Sequence, residues 1–129
     1  MEAPKFRAYD GGSLNRMYQP DEVMVGNGNI WIIDKDSVAG DWIVNNDIHL
    51  MQSTGLVDKN GKEIFEGDVV KMTKDVYSEP TYYKIVRHRG GAYRLESKQH
   101  GCELWLRHTD CEVVGNVYEN QELLEEAED

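Results

Sequence analysis

Hydrophobic and polar positions alternate with a period of two along most of this chain, in runs of three to seven residues broken by turn chemistry. KFRAY (Lys5 to Tyr9) sets Phe6 and Ala8 on one side of an extended backbone and Lys5, Arg7 and Tyr9 on the other. GNGN (Gly26 to Asn29) is turn chemistry and leads at once into the apolar run IWII. Trp42-Ile43-Val44 and Ile48-His49-Leu50-Met51 are short apolar pieces divided by Asn45-Asn46-Asp47. VVKM, YYKIVR, AYRLE, ELWLR and EVVGNVY follow, with Gly90-Gly91 between two of them as a hairpin connection. Strands this short, with turns this frequent, predict an all-β barrel or small sandwich. Only the end reads as helix. Asn120 suits an N-cap, Gln121 and Glu122 a first turn, and Leu123-Leu124 supply apolar contact. Glu125, Glu126, Glu128 and Asp129 then set negative charge at the negative end of the helix dipole, which predicts fraying.

TGLVDKNGKEIFEGDVV (Thr54 to Val70) admits two readings. Asp58, Asn60, Glu63, Glu66 and Asp68 could surround a calcium ion, or the stretch could be two strands joined at Asn60-Gly61. A helix-loop-helix calcium loop needs glycine at its sixth position and a bidentate Glu at its twelfth. Counted from Asp58, those positions hold Glu63 and Val69, and neither flank has helical periodicity. The stretch therefore reads as a hairpin. Asn60-Gly61 is expected to occupy the two positive-φ sites of a type I′ turn between Val57 and Ile64, with Gly67-Asp68 as a second turn.

At 129 residues the chain is one domain, or one with a small subdomain, and can bury roughly two-thirds of its unfolded surface without a metal or disulfide. No apolar run approaches the ~20 residues of a membrane helix, and the polar N-terminus lacks a signal-peptide core. The expectation is a protein of the cytoplasm whose two cysteines are thiols. A formal charge of −10 argues against broad affinity for nucleic acid. That charge is uneven. Residues 84 to 108 carry Lys84, Arg87, Arg89, Arg94, Lys98 and Arg107 against Glu96 and Glu103, whereas everything after His108 lacks Lys and Arg. The basic middle and acidic tail could attract each other, within a chain or between copies, or both could simply be solvated surface.

MQSTGLVDKNGKEIFEGDVVKM (Met51 to Met72), with KFRAYD (Lys5 to Asp10) and VVGNVYENQELLEE (Val113 to Glu126), resembles the YopX-like family of small bacteriophage and prophage proteins. The motifs lie near the start, middle and end, in order; between Thr73 and Asp110 only the alternation matches. The resemblance implies an all-β fold in which an N-terminal β region packs on a C-terminal SH3-like barrel. It implies no established activity, and no catalytic residues carry over. On this basis residues 1–52 form the N-terminal β region, 53–118 the barrel and 119–129 a short acidic helix and tail. Phe6, Trp31, Ile33, Trp42 and Leu50 are the expected N-terminal core.

Four constellations could carry chemistry. His100, Cys102, His108 and Cys111, in HGCELWLRHTDC, match the ligand types of tetrahedral zinc, but His-x-Cys departs from the usual pair spacing, so ordinary strand and loop residues are the simpler reading. The same cysteines and histidines lack a third orienting group for nucleophilic catalysis, and no glycine pattern cradles a phosphate. Asp34, Asp36, Asp41 and Asp47 read as turn residues before they read as a cation site. In ELWLR, alternation sets Leu104 and Leu106 inward and Trp105 and Arg107 outward, and Tyr83 and Arg87 form a similar row. Aromatic and Arg side chains together suit protein hot spots and also stack single strands. The reading is a non-enzymatic module without a cofactor that forms a homo-oligomer and binds a host or phage protein through Tyr83, Arg87, Trp105 and Arg107. The acidic tail from Glu119 is a second candidate surface. The alternative is a small barrel binding single-stranded DNA or RNA through the same row.

Overall fold

Twelve short strands make up most of the residues that the computed structural model describes, which are 5–12, 15–72, 81–88, 91–97 and 101–126. The protein is mostly β, as the alternation predicts. His100, Lys98, Arg89, Gly90 and the last three residues lie outside the described set, as do the side chains of Glu125 and Glu126. The chain divides into two units, Met1–Ser53 and Thr54–Asp129. Among the described residues no helix is long and apolar enough to cross a membrane.

In the first unit β1 (Phe6–Asp10) lies between β2 (Arg16–Tyr18) and β6 (His49–Val57), with Ala8 opposite both Tyr18 and Leu50. A 3-10 turn at Pro20–Glu22 leads into a second sheet of β3 (Val23–Gly26), β4 (Asn29–Ile33) and β5 (Trp42–Val44). The β3–β4 hairpin turns on Asn27 (φ 52) and Gly28 (φ 77), both left-handed, the conformation that matches the strands' own twist. Ala8, Tyr18, Val23, Ile32 and Ile48 form the core, with Phe6, Ile30, Ile33 and Leu50 packed against it. Two expected core residues depart from that set: Trp31 is half-buried and Trp42 is exposed. In IWII the isoleucines, not the tryptophan, take the core contacts.

β6 carries the chain into the second unit, where its end pairs with β7 (Glu63–Phe65). β8 (Asp68–Met72), β9 (Thr81–Arg87), β10 (Tyr93–Glu96), β11 (Gly101–Glu103) and β12 (Glu112–Asn116) form an antiparallel sheet in the order β11-β10-β9-β8-β12. The β8–β12 register slips between Val113 and Gly115, a bulge that bends the strand. Among the described residues of the unit are also two short α-helices, α1 (Leu104–Arg107) and α2 (Glu122–Glu126), with a 3-10 turn at His108–Asp110. Ile64, Val70, Tyr83, Ile85, Leu95, Leu104 and Cys111 form its core, each large aliphatic contributing about 1.5–3 kcal/mol by burial.

The hairpin reading of Thr54 to Val70 holds, but its turn is of a different type. Only Gly61 has positive φ (81°), not Asn60. The Gly61 amide donates to the Asp58 carbonyl (3.0 Å) and the Asp58 amide to the Lys62 carbonyl (2.8 Å), so the connection is a turn closed by a glycine bulge. The buried Asp58 carboxylate imposes this: Oδ1 accepts from the Asn60 and Lys62 amides (2.8 and 2.9 Å), and Oδ2 from the Val113 amide (2.9 Å). The carboxylate that a calcium loop would have used as its first ligand therefore ties a loop to β12.

Candidate interaction surface

Of the row expected to form one surface, the fold withdraws Tyr83. Tyr83 is 8% exposed and belongs to the core, its neighbour-but-one Ile85 likewise, because the even face of β9 points outward and the odd face inward. Burial raises the Tyr83 hydroxyl pKa, with a smaller contribution from Cys102 and an opposing one from Arg107. This corrects its placement on the surface. Arg87 is exposed at the end of β9, across from Tyr93. Trp105 and Arg107 are not on a strand at all. After β11 the chain coils into α1, and a helix turns each successive side chain by about 100°. Leu104 alone reaches the core, while Trp105 (64%) and Leu106 (58%) face solvent. Arg107 Nε donates to Asp110 Oδ2 at 3.1 Å.

The His/Cys cluster is likewise given to structure where it is described. The His108 ring donates through Nδ1 to the Val57 carbonyl at 2.7 Å, and the Cys111 thiol contacts the Arg107 carbonyl at 3.3 Å. Burial, aided by Cys102 and Asp110, pushes the Cys111 thiol up to about 12, the opposite of an activated nucleophile or a ready thiolate ligand. Among the described residues no group of three or more His, Cys, Asp or Glu is placed to hold a metal ion. His100 lies outside them.

Buried polar side chains of the patterned segments serve the backbone. Desolvation would raise the Asp58 carboxyl, but the amides of Val113, Lys62 and Asn60 outweigh it and hold the group below its ordinary range. Asp68, 1% exposed, accepts from the Phe65 amide at 2.8 Å. Asn116 Oδ1 accepts from the Tyr118 and Glu119 amides (3.0 and 2.9 Å) while its Nδ2 donates to Glu119 Oε1 (2.8 Å). Asn120 Oδ1 accepts from the Asn116 amide (3.2 Å), and it lies so close to Gly115 that a Cβ there would sit 2.6 Å from the Asn120 side chain.

The small sheet that carries Trp42, an expected core residue, presents an open apolar face. The three-stranded sheet aligns Met24, Trp31 and Val44 across its strands, with Ile33 opposite Trp42 one step along. Those residues share one face. Met24, Trp42 and Val44 are exposed on it, and all three residues of β5 face solvent. β5 is also an edge. The Asp34 amide donates to Asp41 (2.7 Å) and the Asn45 amide to Ile30 (2.9 Å), which makes 30/45, 32/43 and 34/41 the hydrogen-bonded pairs. Ile43 therefore turns its backbone groups toward β4, while Trp42 and Val44 turn theirs outward. Carboxylates rim this edge. Asp34 Oδ1 accepts from the Asp36 amide (3.0 Å), the turn role expected for it, while Asp41 Oδ2 accepts from the Ser37 hydroxyl (2.9 Å). The one lysine in the segment, Lys35, is held by Glu22 at 3.0 Å. The available signal was WIV itself, a short apolar strand bounded by Gly40-Asp41 and Asn45-Asn46-Asp47 with too few residues to be central.

Comparison with known proteins completes the picture. The family model described as YopX protein matches residues 5–125. Protein EF1440 from Enterococcus faecalis has a similar solved structure, 28% identical, with a TM-score of 0.61 over 95% of this chain and 98% of its own. Protein yopX from Bacillus subtilis is 20% identical, with a TM-score of 0.65 over 93% of this chain and 97% of its own, a likeness of fold. No curated protein matches.

Proposed function

The chain belongs to the YopX family, and from that premise we propose that it is a non-enzymatic protein-interaction module of bacteriophages and prophages. In this reading it works in the host bacterial cytoplasm, self-associates, and engages a host or phage protein. The observation that carries the reading is the uncovered apolar sheet of the first unit, where Met24, Trp42 and Val44 are exposed on one face and Val25 and Ile43 on the other. Aromatic and aliphatic side chains clustered on a surface favour protein partners, since their burial drives association. Trp105, Leu106 and Arg107, with Arg87, form a second candidate contact, and the acidic segment from Glu119 a third. The second unit fits the SH3-like barrel that the family resemblance implies. Its sheet order, four consecutive strands β8 to β11 with a fifth, β12, returned beside β8, supports that assignment.

A second reading rests on Trp105, which stands in solvent two residues from Arg107, the pairing that stacks single-stranded DNA or RNA. The formal charge of −10 and the Arg107–Asp110 contact weigh against it. An affinity pull-down of the tagged chain from bacterial lysate, with and without nuclease, separates the two. One dominant protein that survives nuclease is the expected result. Capture that disappears with nuclease, together with low-salt binding of a labelled oligonucleotide, overturns the protein-binding reading.

A further inference from the structure

We propose that β5 is a self-pairing edge: two copies of the chain join their Trp42-Ile43-Val44 strands antiparallel about a two-fold axis at Ile43, making one six-stranded sheet. This deepens the self-association reading above and rests on it. The register follows from the direction of the backbone groups. Trp42 and Val44 turn their N–H and C=O groups outward, and no hydrogen bond to either is present among the described residues. Pairing Trp42 with Val44 of the second copy, and the reverse, engages both residues of each strand. A two-fold centred on either end residue would engage only one.

The side chains fit that register. Trp42 and Val44 stand on the same face as Met24, Trp31 and Ile33, so the apolar row Met24–Trp31–Val44 of one copy continues into Trp42 and Ile33 of the other. Ile43, on the opposite face, meets its own symmetry mate. Charge is compatible as well: Asp41 falls opposite Asn45 of the second copy, so the joined strands set no two carboxylates directly across from one another. A two-fold makes the interface isologous, which closes the assembly at two copies and removes the open edge that would otherwise template further pairing. Asp34, Asp36, Asp41 and Asp47 still bring like charge near the axis, so added salt should strengthen this dimer. A basic partner on the same edge would respond in the opposite sense.

Two variants of the intact chain test the register. Val44→Pro removes an outward N–H while leaving the Ile43–Ile32 pair intact, and it is expected to weaken association roughly tenfold or more. In Ile43→Cys the two cysteines fall in a non-hydrogen-bonded pair with Cα atoms about 4.5 Å apart, within disulfide range. Mild oxidation should then give a covalent dimer joined at position 43, well above the wild-type background and above Trp42→Cys. Undiminished association of a folded Val44→Pro, or cross-linking of Ile43→Cys no better than Trp42→Cys, overturns this pairing and leaves self-association elsewhere on the surface. If Val44→Pro does not fold, the cysteine pair decides alone. A wild-type chain that stays monomeric into the millimolar range overturns the pairing and self-association together, but not binding to a different protein.

Discussion

Asp58 shows how much of the family's patterned segment is spent on the backbone. Its carboxylate holds three amides, two from its own turn and one from β12, so removing it leaves buried donors without acceptors. Asp58→Ala is expected to cost roughly 2–4 kcal/mol in denaturant unfolding. Asp58→Asn should cost less but not nothing, because one acceptor oxygen becomes a donor. The native carboxyl lies below its ordinary value of 3.8, so this stabilisation is full above that value. It fades as pH falls through the lower native one, and Asp58→Ala should flatten the acid limb of stability against pH. Gly115→Ala should also destabilise, by about 1–3 kcal/mol, since its Cβ would collide with Asn120. Burial separates the thiols too: maleimide labelling of the folded chain followed by mass spectrometry should modify the half-buried Cys102 and spare Cys111. From sequence, Asp58 was visible only as a carboxylate in a loop. What it binds depends on Val113, 55 positions away, and no local pattern carries that information.

At the scale of elements, period-two alternation identified strands wherever one face was buried and the other wet. VVKM and YYKIVR lie wholly in β-strands, KFRAY and AYRLE do so but for their first residues, and EVVGNVY leaves its strand after Asn116. ELWLR satisfied the same alternation and became a helix after β11 instead. Five residues fit both periods, and Leu and Arg favour helix, so tertiary context decided. The two assignments make opposite predictions. A strand would bury Leu104 and Leu106 alike. The helix makes Leu104→Ala cost about 2–5 kcal/mol and leaves Leu106→Ser within about 0.5 kcal/mol of wild type in thermal or denaturant melts. Turn type was similarly ambiguous. Asn-Gly occurs twice, and the left-handed pair formed at Asn27-Gly28 but not at Asn60-Gly61, where Asp58 captures the amides of a longer loop. Trp42 was assigned to the core because it is large and apolar; its position on a three-residue edge strand leaves it exposed.

For the whole molecule, composition set the class and charge weighed against nucleic acid, yet neither indicated which apolar residues would remain outside. That depends on sheet order. Three apolar strands in the order β3-β4-β5 leave one edge made of Trp42, Ile43 and Val44, and this edge is the centre of the functional account. Tyr83 left the expected surface for the complementary reason, since β9 is central and buries the middle of its inward face, Tyr83 and Ile85, while Thr81 and Arg87 at its ends stay exposed. The central claim, that this is a protein-binding module which joins copies of itself through apolar surface, is tested most directly by sedimentation of the intact chain. Mass should be followed over a wide concentration range, at low and physiological salt, with and without a labelled oligonucleotide. The account predicts a monomer–dimer equilibrium that tightens with salt and ignores the oligonucleotide. A monomer at every concentration that takes up the oligonucleotide at low salt would contradict it.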